Sequence, residues 1–511
     1  MKRTLGAAIA ATLCACGSDP APVAPDPSGF SADDPTAATT DAMSAELARD
    51  LSIAEVAVYQ AVKVSLAKDG KPGDRVIGGT GGKLVPLVAG RGALLRVFVN
   101  PSTTWKPAPV TARVKVQLVG PAGTETRVFY TKKTVTNAAS TDDDIDSTIN
   151  IDLPGDALRP GATFGVVLSQ VGGARASGAD SARYPQDGSL GDMQVNGGGD
   201  VVKVVIVPMA YDADKSGRLP DTGDAQLKLL RDRFYRLYPA ANIDFEVREP
   251  VSWTQAISGG GAGFDNALKF ISSLRQKDNA PVEAYYYGAF EPAATFGAFC
   301  QSGCITGLSG VGTPASVGIG YAGEDSAITA AHEVGHAHGL DHAPFCGAQG
   351  PGNYWPSDAS HAGAHIGTWG YDAVDKRLLD PAKYTDLMSY CPTNWISDFH
   401  YGRLFDRVKG DNRYFADAHG PVAAWRTLRI ATDGRGASWD ETAVTQPWVM
   451  RGEPRKVAVR MADGSLSELA AFFFPYDHLP GGLLMFPESA IASARSVNVV
   501  ELGREIAVSL R

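Results

Sequence analysis

The sequence predicts a multidomain α+β protein, with an N-terminal β-sandwich, a central mixed α/β domain and a small C-terminal β domain. Three observations carry that prediction. At 511 residues the chain is several times the roughly 150 residues typical of one domain. Its first third is made of short alternating runs divided by turn residues, the pattern of half-buried strands. Near residue 200 that pattern gives way to a buried strand followed by apolar residues at helical spacing, and after about 430 strand patterns return. With 44% hydrophobic and 20% charged residues, the composition excludes wholesale disorder, collagen-like repeats and a coiled coil. Lys+Arg 47 against Asp+Glu 56 leaves a net charge of -9, which argues against nucleic acid as a partner. No apolar run reaches about 18 residues, so no internal membrane-spanning helix is expected.

Residues 1–16 read as a targeting segment and stand outside the fold. Lys2 and Arg3 supply its charge, 5–13 its apolar stretch, and Leu13-Cys14-Ala15-Cys16 closes it. That ending resembles a bacterial lipobox, which implies a lipoprotein signal peptide with lipid on Cys16; the alternative is a plain secretory signal. Both readings export the chain, as an outer-membrane lipoprotein or at the cell surface, with membrane contact through the lipid alone. Residues 17–45, rich in Pro, Ala, Ser, Thr and Asp, bury too little to order themselves and read as a tether.

The β-sandwich is assigned to 46–175, with strands at 84–88, 94–99, 112–119, 126–130, 147–152 and 164–169. The acidic run 142–144 is read as a solvated loop. Gly-, Ser- and Asp-rich sequence over 171–199 marks a boundary. The central domain, 200–427, opens with a strand at 201–207 and a helix carrying Leu227, Leu230, Phe234 and Leu237. Between them Asp212, Asp214 and Ser216 match the first half of a calcium loop. Gly223 stands where a calcium loop needs Glu, so an acidic turn is preferred to a Ca2+ site. The C-terminal β domain, 428–511, holds strands at 456–461, 469–474, 483–486 and 496–501, with a hairpin turn at Asp463-Gly464.

Chemistry concentrates between His332 and His342, which contain four of the nine histidines. Residues four apart on a helix share a face, so His332 and His336 can offer ring nitrogens to one metal. Glu333 lies about 100° round the helix, placed to take a proton from water and not to ligate. Gly339 can adopt the left-handed conformation that ends the helix and returns the chain, with His342 as third ligand. Three neutral imidazoles leave zinc one open position for water. The five fixed positions would arise by chance in such a chain on the order of once in 10⁵. His338 points about 200° from His336 and reads as a core residue, and Asp341 as a turn carboxylate. His361, His365 and His400 are read as isolated loop histidines, with the substrate cleft as the alternative.

His332-Glu333-x-x-His336-x-x-Gly339-x-x-His342 resembles the zinc-binding motif of the metzincin metallopeptidases. The resemblance covers about 200–425. It implies one catalytic Zn2+ and a Met-turn at Met388, 46 residues after His342, forming the floor of the site. Tyr390 matches the Tyr that in metzincins similar to astacin and serralysin reaches the zinc or the oxyanion. The resemblance further implies that an edge strand precedes the active helix, here 317–321, to which an extended peptide could add; an ordinary strand covered by a loop is the alternative. Ser397 and Asp398 begin a capped helix behind the site.

Cys300, Cys304, Cys346 and Cys391 remain in the mature chain, an even number that allows two disulfides in three connectivities. Because His342 and Met388 must converge beneath the zinc, Cys346 with Cys391 is preferred, leaving Cys300 with Cys304; a four-cysteine zinc site is the rival. Since Cys14 and Cys16 belong to the signal, no inhibitory cysteine-bearing prosegment is read. The resulting expectation is a secreted, surface-anchored zinc endopeptidase with Glu333 as general base and Tyr390 as oxyanion donor. Mucin-cleaving metzincins with accessory β domains make glycoprotein as well as polypeptide substrates part of what the resemblance implies. The alternative is a surface adhesin for glycans or proteins with a vestigial zinc domain.

Overall fold

The computed structural model describes residues 46–508 apart from 78–82, 122, 171–172, 174–179, 302, 417–421, 434, 442 and 448–451. Cys16, the signal and the tether lie outside the described residues. Strands make up 40% and helices 18% of a multidomain α+β architecture with several sheets. Among the described residues no helix is long and apolar enough to cross a membrane.

Two antiparallel sheets form the N-terminal part. One runs Lys71–Pro72, Lys63–Lys68, Leu51–Tyr59, Ala93–Pro101, Ile149–Leu153; the other runs Arg183–Tyr184, Thr163–Ser169, Ala108–Gly120, Gly123–Val135. Val56, Val58 and Val97 of the first share a core with Val114, Val116 and Phe164 of the second. Leu51–Tyr59 and Lys63–Lys68 are strands beyond those expected; Lys63–Lys68 alternates, with Val64 and Leu66 inward, whereas Leu51–Tyr59 does not, for a visible reason. Two bulges interrupt the pairing of Leu51–Tyr59, and its other face is also covered, Ala57 and Tyr59 packing with Tyr371. Asp142 is not simply solvated: it pairs with Lys63 Nζ at 2.8 Å and accepts a hydrogen bond from the Tyr59 hydroxyl.

The central sheet is ordered Asn242–Val247, Val201–Tyr211, Ala284–Phe290, Ala315–Ile319, Gly307–Ser309, with Val251–Trp253 also paired to Val201–Tyr211. All its pairings are parallel except that of Gly307–Ser309 with Ala315–Ile319. Helix α1 (Asp224–Leu237) and helix α2 (Phe264–Lys277) make the crossovers that parallel neighbours require. Val204 and Ile206 pack with Phe234 of α1 on one side, and Val205 and Val207 with Phe264 and Ile271 of α2 on the other. A short helix, α3 (Phe296–Phe299), precedes Gly307–Ser309; α4 (Glu324–Ala337) carries the histidine motif; α5 (Asp398–Ala416) follows the Met-turn. The core is continuous with the sandwich. Arg91, fully buried, donates to the carbonyls of Tyr238 and Ala240, and Trp395 Nε1 donates to Ala61 O.

The sheet edge beside α4 differs from the expectation of 317–321. Ala315–Ile319 is paired on both sides, and the edge belongs to Gly307–Ser309, which folds back antiparallel to it. A buried apolar run reads alike at an edge and inside a sheet, so periodicity could not separate them.

The C-terminal sheet is antiparallel: Ala437–Trp439, Val422–Ile430, Gly482–Pro487, Leu466–Pro475, Glu453–Met461, Ala494–Val499, Arg504–Ala507. Leu428, Phe473, Leu484 and Phe486 pack on one face. From the other face, Phe474, Tyr476, Leu483 and Met485 join the core formed by α2 with Leu308, Val317 and Ile319. That shared core holds the hairpin of Leu466–Pro475 and Gly482–Pro487 against the central sheet, and its loop reaches α4 through His478 and Asp477.

Candidate metal centre

Helix α4 starts with Glu324 and Asp325, acidic residues that suit the positive end of a helix dipole, and ends at His338. Gly339 follows with φ +91, and the turn brings His342 back over the helix. The Nε2 atoms of His332, His336 and His342 converge at 3.1 to 3.3 Å from one another. Each Nδ1 lies against a main-chain carbonyl: His332 on Leu387 O at 2.9 Å, His336 on Leu340 O at 2.7 Å, His342 on Gln349 O at 3.0 Å. Only Nδ1–H can serve a carbonyl, so all three Nε2 atoms present lone pairs to one point. Tetrahedral zinc with Zn–N of about 2.0–2.1 Å has a ligand-to-ligand edge of about 3.3–3.4 Å, so the donor set fits that ion. Burial, reinforced by the neighbouring histidines, pushes the pKa of His332 and His336 well below the ordinary value, and burial lowers His342 to about 3. Neutral rings are what a metal needs.

Met388 lies fully buried beneath this helix. A Cβ on Gly335 would stand 3.0 Å from its sulfur, so glycine there permits the close approach. Asp386 holds the turn: Oδ1 accepts from Met388 N and His400 Nδ1, both at 2.7 Å, and Oδ2 from Ser397 N at 2.9 Å. His400 Nε2 meets the Tyr354 hydroxyl at 3.0 Å, and that hydroxyl accepts from Asp341 N, linking Met-turn and third-ligand loop. His400 is thus a buried member of the support, not an isolated loop residue. His361, also buried, is clamped between Asp398 at 2.7 Å and Asp358 at 2.9 Å. His338 stacks on Tyr285 at 3.7 Å and takes no part in the cluster. The disulfides Cys300–Cys304 and Cys346–Cys391 are both formed. The second ties the loop after His342 to the Met-turn. Asp214 is engaged by Ser216 and by Arg218 at 2.7 Å, an arrangement of an acidic turn.

Glu333 is buried directly under the sheet edge, where a Cβ on Gly307 would come within 2.4 Å of its Cγ. Its Oε2 accepts from the Ser309 hydroxyl at 2.9 Å. Burial pushes its carboxyl up to about 7, despite the lowering influence of hydrogen bonds from Asp477 and Ser309. Tyr390, 45% exposed, places its hydroxyl 3.3 Å from His342 Nε2 and against His478 Nδ1.

Asp477 and His478 were not identified from sequence. They sit in the C-terminal hairpin loop. His478 Nε2 lies 3.0 Å from Glu333 Oε1, and Asp477 Oδ2 lies 3.4 Å from His336 Nε2. One ring nitrogen from each of His332, His336, His342 and His478 falls within 4.8 Å of the others. A hairpin turn some 140 residues away carries no local mark of this role; the only hint in the sequence was a His between two apolar strands.

A model of the Peptidase M66 family, a metallopeptidase family, matches residues 294–400. The matched stretch holds α4, the three histidines, Glu333, Met388 and Tyr390, and it supports a peptidase function. No curated protein matches the sequence. A solved structure assigned as a beta-galactosidase of Bacteroides fragilis is 14% identical, with a TM-score of 0.11. It covers 40% of this chain, which in turn spans 32% of that structure, a likeness too slight to bear on fold or function.

Proposed function

We propose that the chain is an exported, surface-anchored zinc endopeptidase of metzincin type acting on polypeptide or glycoprotein substrates. The observation that carries this reading is the convergence of three neutral imidazole nitrogens at 3.1 to 3.3 Å beside one buried carboxyl group. Zinc held by His332, His336 and His342 supplies a Lewis acid for the scissile carbonyl and lowers the pKa of water toward about 7. Glu333 takes the proton of the attacking water at Oε1 while Ser309 steadies Oε2, and then delivers it to the leaving amine. A pKa near 7 suits a group that must both accept and release a proton at neutral pH. Tyr390 Oη donates a hydrogen bond to the developing oxyanion. The edge at Gly307–Ser309 runs over Glu333, the place from which a paired peptide backbone would present its carbonyl. Export and anchoring rest on the 1–16 segment and Cys16.

Metal analysis with a peptide-library digest tests the reading. The wild type should bind one zinc and cut peptides; Glu333→Ala should keep the zinc and lose about 10²- to 10⁴-fold in rate. Full zinc occupancy after replacing all three histidines with Ala would reject it, as would zinc-loaded protein that cuts nothing both as wild type and as His478→Ala, the latter in favour of the adhesin.

A further inference from the structure

The metal site is closed by the chain itself. Residues 475–477 run antiparallel to the edge at 309–311: Val311 N donates to Pro475 O at 2.9 Å, Asp477 N to Ser309 O at 3.2 Å, and Gly310 bridges Tyr476. Ser309 N also donates to Asp477 Oδ1 at 3.0 Å. This is strand addition, in the position an extended substrate would need. The loop is pinned at its other end as well, because Leu479 packs so closely over Gly261 that a Cβ there would meet it at 2.8 Å.

Pinned in this way, the loop delivers His478 to the open side of the triad. Its ring stacks on His332 at 5.4 Å and lies 5.0 Å from the ring of His342. It contacts both groups that would serve catalysis, Glu333 through Nε2 and Tyr390 through Nδ1. A buried carboxyl group lies at the same spot. Asp477 Oδ2 is fully buried and faces His336 Nε2 at 3.4 Å and His478 Nε2 at 3.2 Å. One ring nitrogen of His478 falls within 4.8 Å of those of His332, His336 and His342, so the four can be gathered on one ion.

We propose that His478 is a fourth protein ligand of the metal in the resting protein, carried there by the C-terminal hairpin, which thereby occupies both the ligand position of water and the peptide-binding edge. The proposal rests on the reading of His332, His336 and His342 as a metal triad. A closed set of four protein ligands is the structural type of zinc site, and an open position is the catalytic type. Peptide must therefore displace residues 475–478 to be cut, and latency is built into a domain downstream of the catalytic one, with no prosegment required.

Cobalt(II) substituted into the full chain tests this. In the wild type the visible spectrum should be insensitive to azide and to pH between about 6 and 9, because no water is available to exchange or ionise. His478→Ala should keep one cobalt but respond to azide. It should also yield the metal to a chelator about tenfold more readily, bind a hydroxamate at least tenfold more tightly, and cut peptides faster. His478→Asn, which retains a polar side chain in the loop, should behave alike and guards against a folding defect. Azide and hydroxamate binding by the wild type within a factor of two of both variants would overturn the proposal while leaving the triad intact. Slower cleavage by both variants would also overturn it, since His478 would then serve catalysis. Absence of cobalt binding by the wild type would overturn the triad reading together with it.

Discussion

Replacing Asp386 with Asn should weaken zinc binding from outside the ligand set. Three donors converge on this buried carboxylate: Met388 N–H and His400 Nδ1–H on Oδ1 at 2.7 Å, and Ser397 N–H on Oδ2 at 2.9 Å. An amide offers one acceptor oxygen and one NH₂. With its oxygen toward Met388 and His400, the better orientation, the NH₂ confronts Ser397 N–H and leaves two buried donors unpaired. At about 1–3 kcal/mol for each unsatisfied group, the loss is about 2–6 kcal/mol, concentrated in the Met-turn. Leu387, whose carbonyl fixes the tautomer of His332, lies inside that turn. Loss of such an outer partner typically lowers metal affinity about 10- to 100-fold. Chelator competition gives the affinity, and hydrogen exchange across 386–400 gives the local stability. Zinc affinity within a factor of two of wild type, with unchanged exchange, would refute the claim that Asp386 supports the centre.

Tyr390→Phe should lower turnover about 10²- to 10³-fold with zinc content and Michaelis constant nearly unchanged, as for loss of one oxyanion donor; unchanged turnover in parallel kinetics would remove Tyr390 from the catalytic groups. Glu333, with an unfolded pKa near 4.5 and a folded value of about 7, binds more protons when folded. The metal-free wild type should therefore lose stability relative to Glu333→Gln as pH rises from about 4.5 to 7, and no further above that. Urea midpoints across this range provide the check, and parallel curves would contradict the burial argument. Cys16→Ser should release the protein from the detergent phase without altering cleavage by the soluble part; retention in that phase would discard the lipid anchor.

What the sequence determined by itself was local. His332 and His336 share a helix face because the helical repeat is fixed by backbone geometry, and His342 lies within one turn of the glycine that ends the helix. The same locality made the strand at 112–119 legible, since its alternation reports one covered face. Leu51–Tyr59 escaped because bulges and a second covered face erased the alternation. Tertiary structure alone decided which strand forms the sheet edge, and that Asp386 and His400 pair beneath the Met-turn. It also placed Asp477 and His478, a turn in a separate sheet, beside Glu333. Nothing near residue 478 in the chain encodes that position. It follows from burying Phe474, Tyr476, Leu483 and Met485 against the core of the central sheet, so apolar surface shared between two sheets aims a polar loop at the metal site.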